Sequence, residues 1–285
     1  MLSVSALTSY LYCERKLYLQ RVLGFYEPPK EATVKGSIRH KIYEQINNKE
    51  EEIVSSITER IGLEEILQLY KKHYNKILRD VIRKSKEELK KFDVKPNEFF
   101  KQLWPLILNE SETRAKNVHD FMQFHLVFGK KLWEKLTPKI KSEFWIESEK
   151  LKLRGIIDQI EIYDKGFVPV ELKTGYCPKE GVWQNHKIQI GAYALLLEEK
   201  YNTQIKEGFI TYLDSNQRRH VPVNIFLKHE IIDLMEKVSK LLKNKEIPAM
   251  CDNKKKCSKC GLKDVCYDKK TIKKRMKEVN KTTLE

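Results

Sequence analysis

Hydrophobic residues recur at helical spacing in the first twenty or so positions of the chain. The apolar positions that give residues 3–22 this period are Leu7, Leu11, Tyr18 and Val22. They predict one amphipathic helix, which Ser3 or Ser5 can cap. Residues 24–29 break the pattern, and a second helix is predicted to begin near Val34.

A long and highly charged helical stretch follows, over residues 49–136. Its apolar positions form a stripe of helical period, which Pro96 and Pro105 divide. The second half of the stretch also has a bulky aromatic face, made by Trp104, Phe121, Phe124, Phe128 and Trp133. We interpret the stretch as a helical insertion that packs on the core through these aromatic residues. A base-stacking platform is the alternative use of the same face.

After Pro138 the hydrophobic period changes from helical to strand-like. The predicted elements are, in order, a strand over 140–146, a hairpin within 150–174, a helix over 182–197, strands over 207–213 and 220–226, and a helix over 228–243. Strands and helices mixed on this scale predict an α/β fold whose sheet is covered by helices on both faces.

Each strand of the hairpin carries an acidic residue that is unusual in an otherwise apolar run, Asp158 in the first and Glu171 in the second. Side chains alternate along a strand, so Glu171 and Lys173 share a face while Leu172 points into the core. Two carboxylates and an ammonium at the end of a hairpin indicate a divalent-metal site with a cationic helper. An ordinary surface ion pair is the alternative.

Such a site suits the hydrolysis of a phosphodiester. The phosphodiester is anionic and repels hydroxide, so its hydrolysis is assisted by a cation that neutralises charge and lowers the pKa of the attacking water. Mg²⁺ and Mn²⁺ take oxygen ligands, commonly from one or two carboxylates and several waters.

Composition narrows the class of partner. The chain has 285 residues, 55 Lys and Arg against 40 Asp and Glu, and a formal net charge of +15. This charge favours a polyanionic partner, and nucleic acid ranks before a membrane because no long apolar stretch or amphipathic anchor is present. The N-terminal segment lacks the pattern of a secretory signal, so we expect a cytoplasmic protein.

Six cysteines occur in a sequence without a secretory signal, which favours metal ligands or buried thiols over disulfides. Cys257 and Cys260 form a CxxC pair, and Cys266 follows after five residues. A fourth ligand must come from elsewhere, and Cys251 and Cys13 are the candidates. Zinc held by Cys251 and the three downstream cysteines is an open alternative.

Four short motifs occur in a characteristic order: GSIRH ending at His40, RGIID ending at Asp158, VELKTG with Glu171 and Lys173, and QIGAY with Gln189 and Tyr193. With one cysteine near the N-terminus and C-x2-C-x5-C near the C-terminus, they resemble the CRISPR-associated RecB-like exonuclease family (Cas-four type) of the PD-(D/E)xK nuclease superfamily. Each motif is weak alone, but their order is specific. The resemblance spans residues 13–266 and does not account for the helical insertion.

The resemblance implies a metal site for Mn²⁺ or Mg²⁺. His40, Asp158 and Glu171 would bind the metal, with the main-chain carbonyl of Leu172 as a further ligand. Lys173 would act on the attacking water. Taken alone, His40 has the simpler interpretation of an ordinary helix histidine.

The resemblance also implies that Gln189 and Tyr193 line the catalytic site and contact the substrate strand. It implies an iron–sulfur cluster, 4Fe–4S in preference to 2Fe–2S, with the ligands Cys13, Cys257, Cys260 and Cys266. Such a cluster would join the first helix to the last segment of the chain and have a structural role. Cys177 lies outside this set, and we interpret it as a packed thiol.

The expected fold is an α/β restriction-endonuclease-like core, a mixed central sheet flanked by helices, with a large helical insertion and a cysteine-rich iron–sulfur region formed by both termini. The predicted segments are N-terminal helices (1–48), the helical insertion (49–137), the nuclease core (138–248) and the basic cysteine-rich segment (249–285). That last segment has 12 Lys and Arg against 5 Asp and Glu from Cys251 onward.

The function implied is a metal-dependent DNA exonuclease that acts on single-stranded DNA or overhangs and processes prespacers in CRISPR adaptation, with the Cas-one/Cas-two integrase as a partner. A RecB-like repair or viral nuclease outside CRISPR is one alternative. A catalytically silent DNA-binding subunit of an adaptation complex is another. We expect no membrane partner.

Overall fold

Six strands and twelve helices are found in residues 1–282, the part of the chain that this computed structural model describes. The strands are β1 Leu2–Ser3, β2 Lys139–Ser148, β3 Leu153–Tyr163, β4 Gly166–Lys173, β5 Glu207–Tyr212 and β6 Gln217–Pro222. The helices are α1 Val4–Tyr12, α2 Glu14–Arg21, α3 Glu31–Ser55, α4 Leu63–Lys84, α5 Lys86–Lys90, α6 Pro96–His125, α7 Gly129–Lys135, α8 Gln184–Tyr201, α9 Ile225–Lys243, α10 Lys254–Ser258, α11 Lys263–Tyr267 and α12 Lys269–Thr282. The last three residues of the predicted segment 249–285 lie outside the described residues.

β3 is the central strand of a mixed sheet. β2 runs antiparallel along one edge of β3, from the Lys139–Ile162 pair to the Ser148–Leu153 pair. Because β2 occupies that whole edge, β1 and β4 share the other, β1 in parallel at Leu153 and β4 antiparallel beyond Asp158. β5 lies parallel to β4, and β6 lies antiparallel to β5.

Two hydrophobic cores cover the two faces of this sheet. One contains residues of α3, α4, α6 and α7 together with Val170 and Leu172 of β4. The other contains residues of α1, α8 and α9 together with Ile157 of β3 and Ile210 of β5. The predicted mixed α/β architecture with helices on both faces is therefore confirmed, and the helical insertion packs on the sheet.

The N-terminal segment forms two helices, so the prediction of one helix over residues 3–22 was wrong. Cys13 separates α1 from α2 with extended backbone angles (φ −168°, ψ 115°). The Cys13 sulfur accepts a hydrogen bond from the main-chain N–H of Lys16 at 3.4 Å and so caps α2. Apolar spacing continues across the break, which is why the period alone does not reveal it.

The helical insertion differs from its prediction at two residues. Pro96 begins α6, as proline commonly begins a helix, but Pro105 lies inside α6 and does not end it. Phe124 is 83% exposed, whereas the other four aromatic residues of the predicted face pack against the first core. α3 runs across residues 48 and 49, so the first predicted segment and the insertion share one helix.

A buried polar network joins the insertion to the sheet. The Arg114 guanidinium of α6 donates to the carboxylate of Glu50 and, at 2.7 Å, to the side-chain oxygen of Asn47, both on α3. The side-chain amide of Asn47 donates to the Ser142 hydroxyl on β2. Because burying charges is costly unless they are paired and hydrogen-bonded, this network fixes how α3 and α6 lie against the sheet.

None of the helices in residues 1–282 combines the length and the hydropathy that crossing a lipid bilayer requires.

Candidate active site and cysteine pocket

The site begins where β3 and β4 separate. Their hydrogen-bonded ladder ends at the Gln159–Val170 pair, one residue before Asp158 and Glu171 would face each other. There the side chain of Asp158 replaces the main chain, since its Oδ2 accepts the N–H of Leu172 at 2.8 Å. Both carboxylates are buried, Asp158 at 8% exposure and Glu171 at 3%. The separation of the strands therefore places two carboxylates in the gap between them.

Glu171 and Lys173 share one face of β4, as the alternation predicted, while Leu172 belongs to the core on the opposite face. Lys173 Nζ lies 2.7 Å from Glu171 Oε1 and 2.9 Å from Gln189 Oε1. The side-chain amide of Gln189 donates to Glu171 Oε1 at 2.6 Å. Burial and the nearby Asp158 carboxylate raise the pKa of Glu171 to about 8, against the effect of the Lys173 ammonium.

α8 supplies Gln189 and Tyr193, which are one helical turn apart. Gln189 Nε2 lies 3.0 Å from the Tyr193 hydroxyl, and Tyr193 is 4% exposed. Burial and the carboxylates of Glu171 and Asp158 raise the pKa of Tyr193 well above its usual range. Gly155 of β3 leaves space for this ring, because a Cβ there would lie 2.9 Å from Tyr193 Cε1.

α3 brings His40 to the same place. His40 Nδ1 lies 3.3 Å from Asp158 Oδ1 and 3.4 Å from Glu143 Oε1. Burial lowers the pKa of His40, but the hydrogen bonds to Asp158 and Glu143 outweigh it and raise the pKa to about 10.

Glu143 of β2 is a site residue that the sequence reasoning missed. The register of β2 and β3 is the same on both sides of it, so Glu143 lies opposite Asp158. Its backbone has a φ of +46°, which is uncommon for a residue other than glycine and is often found at functional sites. The signal available in the sequence was an acidic residue in a strand next to the hairpin.

The side chains present fit a divalent cation. Ligand atoms of His40, Glu143 and Asp158 all lie within 4.8 Å of one another. Glu171 Oε2 is buried and, among the described residues, has no hydrogen-bond partner. Carboxylate oxygens are the ligands that Mg²⁺ and Mn²⁺ prefer, and an unpaired buried carboxylate oxygen is costly unless something binds it. The metal role of the Leu172 carbonyl stays a prediction.

The predicted cluster cysteines lie in a second pocket. This pocket has a volume of about 20 Å³ and is lined by Cys13, Cys251, Cys257, Cys260 and Cys266. Both candidates for the fourth ligand, Cys13 and Cys251, thus border the same space as the three downstream cysteines. Cys177 lies elsewhere, and its thiol contacts the carbonyl of Pro178 and the side chain of Gln217.

The two ends of the chain meet around this pocket. Arg15 of α2 is 7% exposed, and its guanidinium donates to Cys266 Sγ at 3.1 Å and to the carbonyl of Pro248 at 2.6 Å. The Tyr12 hydroxyl donates to the carbonyl of Lys256 at 3.1 Å. Desolvation raises the pKa of the Cys13 and Cys257 thiols, so they lose their protons when a metal or cluster binds them. Five cysteine side chains that border one space fit a thiolate-bound cluster or metal.

A scan against protein-family models matches residues 1–267 to the PD-(D/E)XK nuclease superfamily. The match covers nearly the whole chain and includes His40, the hairpin and α8. The chain belongs to this superfamily.

The relatives found by sequence include a CRISPR-associated exonuclease Cas4/endonuclease Cas1 fusion of Leptospira interrogans, 30% identical over 50% of this chain and 28% of the relative. A CRISPR-associated exonuclease Cas4 of Francisella tularensis is 28% identical over 44% of this chain and 61% of the relative. One ATP-dependent helicase/nuclease subunit, from Clostridium perfringens, is 29% identical over 69% of this chain and 15% of the relative. The aligned part thus covers less than two thirds of each of these relatives.

These findings confirm the resemblance to the CRISPR-associated RecB-like exonucleases. The structure brings His40 together with Asp158, and Glu171 together with Lys173, Gln189 and Tyr193. The bond from the Leu172 N–H to Asp158 links the two groups. The ligand atoms found within 4.8 Å of one another are those of His40, Asp158 and the unpredicted Glu143, and Glu171 lies outside that set among the described residues.

Proposed function

We propose that this chain is a divalent-metal-dependent deoxyribonuclease, an exonuclease that acts on single-stranded DNA or overhangs. The observation that carries the proposal is the pair of buried carboxylates between the separated strands, with Glu171 Oε2 left without a partner among the described residues. The net charge of +15 supports an anionic substrate.

In this proposal His40, Asp158 and Glu171 hold the metal, Mg²⁺ or Mn²⁺, with the Leu172 carbonyl as a further ligand. The metal, when bound, supplies charge neutralisation and an acidified water for phosphodiester hydrolysis. The protein fixes one oxygen of each carboxylate by hydrogen bonds and leaves the other oxygen for the site. Such prior orientation is the main contribution that a protein makes to this chemistry.

Lys173 acts at the attacking water. Its ammonium has three N–H donors, and Glu171 and Gln189 accept two of them, which leaves the third to orient the water or to donate to a phosphate oxygen. Gln189 and Tyr193 line the site and contact the substrate strand. The Gln189 amide also holds Lys173 and Glu171 in their relative positions.

The cysteine pocket holds an iron–sulfur cluster, 4Fe–4S in preference to 2Fe–2S, through Cys13, Cys257, Cys260 and Cys266. Its role is structural, since the pocket lies between α2 and the C-terminal helices. Contacts between the two ends, such as Tyr12 with Lys256, support this assignment.

The process is the trimming of prespacers during CRISPR adaptation, with the Cas-one/Cas-two integrase as a partner. The relatives named Cas4/Cas1 fusion support this choice. A nuclease that works beside a helicase in repair is the second candidate, favoured by the helicase/nuclease relative, which aligns with the largest share of this chain among the relatives above. We also propose a cytoplasmic location, because six cysteines that form no disulfide suit a reducing compartment.

The test is digestion of single-stranded DNA labelled at either end, with Mn²⁺ or Mg²⁺ and anaerobically purified protein. We expect metal-dependent shortening by the wild type and a loss of at least about 100-fold in rate for Lys173→Ala, as for removal of a positioned hydrogen-bond donor. The control is Lys165→Ala, in the exposed turn at the other end of the same hairpin, which should keep full activity.

Two results would contradict the proposal. If Lys173→Ala digests DNA as fast as the wild type, Lys173 has no part in the chemistry. If the wild type binds DNA but does not cut it with either metal, the catalytically silent subunit is the better description.

A further inference from the structure

A second feature of interest is a surface groove between α2 and α3, formed with the connecting residues 22–30. It has a volume of about 690 Å³, and Tyr12 and Tyr26 contribute aromatic rings to it. Tyr26 is 80% exposed. An aromatic side chain this exposed adds nothing to the core, whereas a ring on an open surface can stack on another flat group.

The groove is also basic. Its charged side chains are three cations, Lys16, Arg21 and Lys30, and one carboxylate, Glu27. Glu27 is already neutralised, because its carboxylate lies 2.5 Å from Lys16 Nζ and 2.9 Å from Lys30 Nζ. Arg21 and Lys30 are exposed. Lys30 Nζ contacts Glu27 and the carbonyl of Lys259, but three cations against one carboxylate still leave an excess of positive charge in the groove. Cations interleaved with exposed rings are the combination that binds the backbone and bases of a single strand.

The groove leads to the active site along one face of α3. Thr33 lines the groove, and Ser37 and His40 follow at helical spacing with Thr33 and Ser37 exposed. Two helical turns separate Thr33 from His40, which is about 10 Å at 1.5 Å per residue. Gly36 lies on the same face, and a Cβ there would be 3.6 Å from Thr174 Oγ1, next to Lys173.

We propose that this groove binds the single-stranded DNA next to the cleavage site, with a base stacked on Tyr26 and phosphates held by Arg21 and by the net positive charge that Lys16 and Lys30 leave around Glu27. This proposal rests on the proposed nuclease function and adds the substrate path to it. The 10 Å along α3 corresponds to about three stacked nucleotides between the groove and the metal site.

The C-terminal segment holds the groove in shape. The N–H of Gly261, next to Cys260, donates to Glu27 Oε1 at 2.8 Å, and Lys30 Nζ donates to the carbonyl of Lys259 at 2.6 Å. Tyr12 and Lys16 line both the groove and the cysteine pocket. Loss of a metal or cluster from the cysteine pocket should therefore disturb this groove before it disturbs Asp158 and Glu171.

The test is the affinity of the full-length protein for a fluorescently labelled 12-nucleotide oligothymidylate, measured by anisotropy in EDTA so that no cleavage occurs. We expect Tyr26→Ala to weaken binding by about 5- to 150-fold, the loss of one stacked base, and Tyr26→Phe to bind like the wild type. Phe124→Ala removes an equally exposed ring from α6 and should leave the affinity unchanged. Equal melting temperatures would show that the variants are folded.

Arg21→Gln gives an independent measurement. It should reduce the slope of log affinity against log salt by about 0.7, one phosphate contact to a single strand. If Tyr26→Ala and Arg21→Gln both bind as the wild type does, the groove is not the DNA path and belongs to another partner. If Tyr26→Ala loses affinity while the wild type digests no DNA with Mn²⁺, the groove stands and the nuclease proposal fails.

Discussion

At the scale of single residues, the site is defined by how the four carboxylate oxygens are used. Asp158 Oδ2 accepts a hydrogen bond from the Leu172 N–H, and Asp158 Oδ1 lies 3.3 Å from His40 Nδ1. Glu171 Oε1 accepts from Lys173 and Gln189, whereas Glu171 Oε2 is buried without a partner among the described residues. Each carboxylate thus has one oxygen held by N–H donors of the protein, which fixes the positions of both carboxylates before a cation arrives.

Glu143 is expected to contribute to cation binding, because its Oε1 lies 3.4 Å from the same His40 Nδ1 that Asp158 Oδ1 contacts at 3.3 Å. Glu143→Gln removes the charge and keeps the shape, and we expect the Mn²⁺ dissociation constant to rise by about 10-fold, as for partners that orient metal ligands. Isothermal titration calorimetry measures this directly. Glu147→Gln, an exposed residue of the same strand, is the control. If Glu143→Gln and the wild type bind Mn²⁺ with equal affinity, Glu143 takes no part in cation binding.

At the scale of elements, β3, α1 and α8 meet at Gly155. A Cβ at this position would lie 2.9 Å from Tyr193 Cε1 and 3.0 Å from Val4 Cγ2. Real Cβ atoms essentially never make contacts of 2.9 Å, so the ring of Tyr193 or the start of α1 must move. The glycine therefore sets the distance between the central strand and the helix that carries Gln189.

Gly155→Ala should lower the free energy of unfolding by about 1–3 kcal/mol, the usual cost of overpacking a core. Chemical denaturation gives the value. Gly166→Ala, in the hairpin turn where a Cβ would meet nothing within 4 Å, should cost far less. An unchanged stability for Gly155→Ala would mean that the Tyr193 ring adapts freely.

The sequence predicted the elements better than it predicted their ends and contacts. The hairpin and the shared face of Glu171 and Lys173 were predictable, because alternation along a strand is a local property. β1 pairs through only two residues, Leu2 and Ser3, which is too short a run to show any period. The break at Cys13 and the position of Glu143 depend on a thiol cap and on a left-handed backbone, which hydrophobic spacing does not encode.

At the scale of the whole molecule, the two ends of the chain pack together. Tyr18, Leu19 and Leu23 share a third hydrophobic cluster with Leu262 and Ile272. The Arg275 guanidinium of α12 donates to the carbonyl of Leu23 at 2.8 Å. The C-terminal segment thus packs against the N-terminal helices. One side of the cysteine pocket is formed by residues 12–19 and the other side by residues 250–267.

Glu27 makes this junction sensitive to acid. Burial raises its pKa, but hydrogen bonds from Lys16, Lys30 and Gly261 outweigh that effect and lower the pKa to about 2. The ionised carboxylate therefore stabilises the fold above its ordinary pKa, and this stabilisation is lost as the pH falls toward 2.

Glu27→Gln should therefore be less stable than the wild type at pH 6 to 7, with the difference shrinking as the pH is lowered from about 5 to 2. Urea denaturation at several pH values measures both proteins. Glu199→Gln, at an exposed position of α8 outside this junction, serves as the control. A difference that stays constant with pH would show that Glu27 acts through packing and not through its charge.

The most direct test of the central claim is to locate Mn²⁺ in crystals of the full-length protein by anomalous diffraction. We expect a peak within about 2.0–2.5 Å of Asp158 Oδ1 and Glu171 Oε2, beside His40. Its presence would establish the cation site on which the proposed nuclease chemistry depends. No peak there at saturating Mn²⁺ would contradict the assignment of these residues as the metal site.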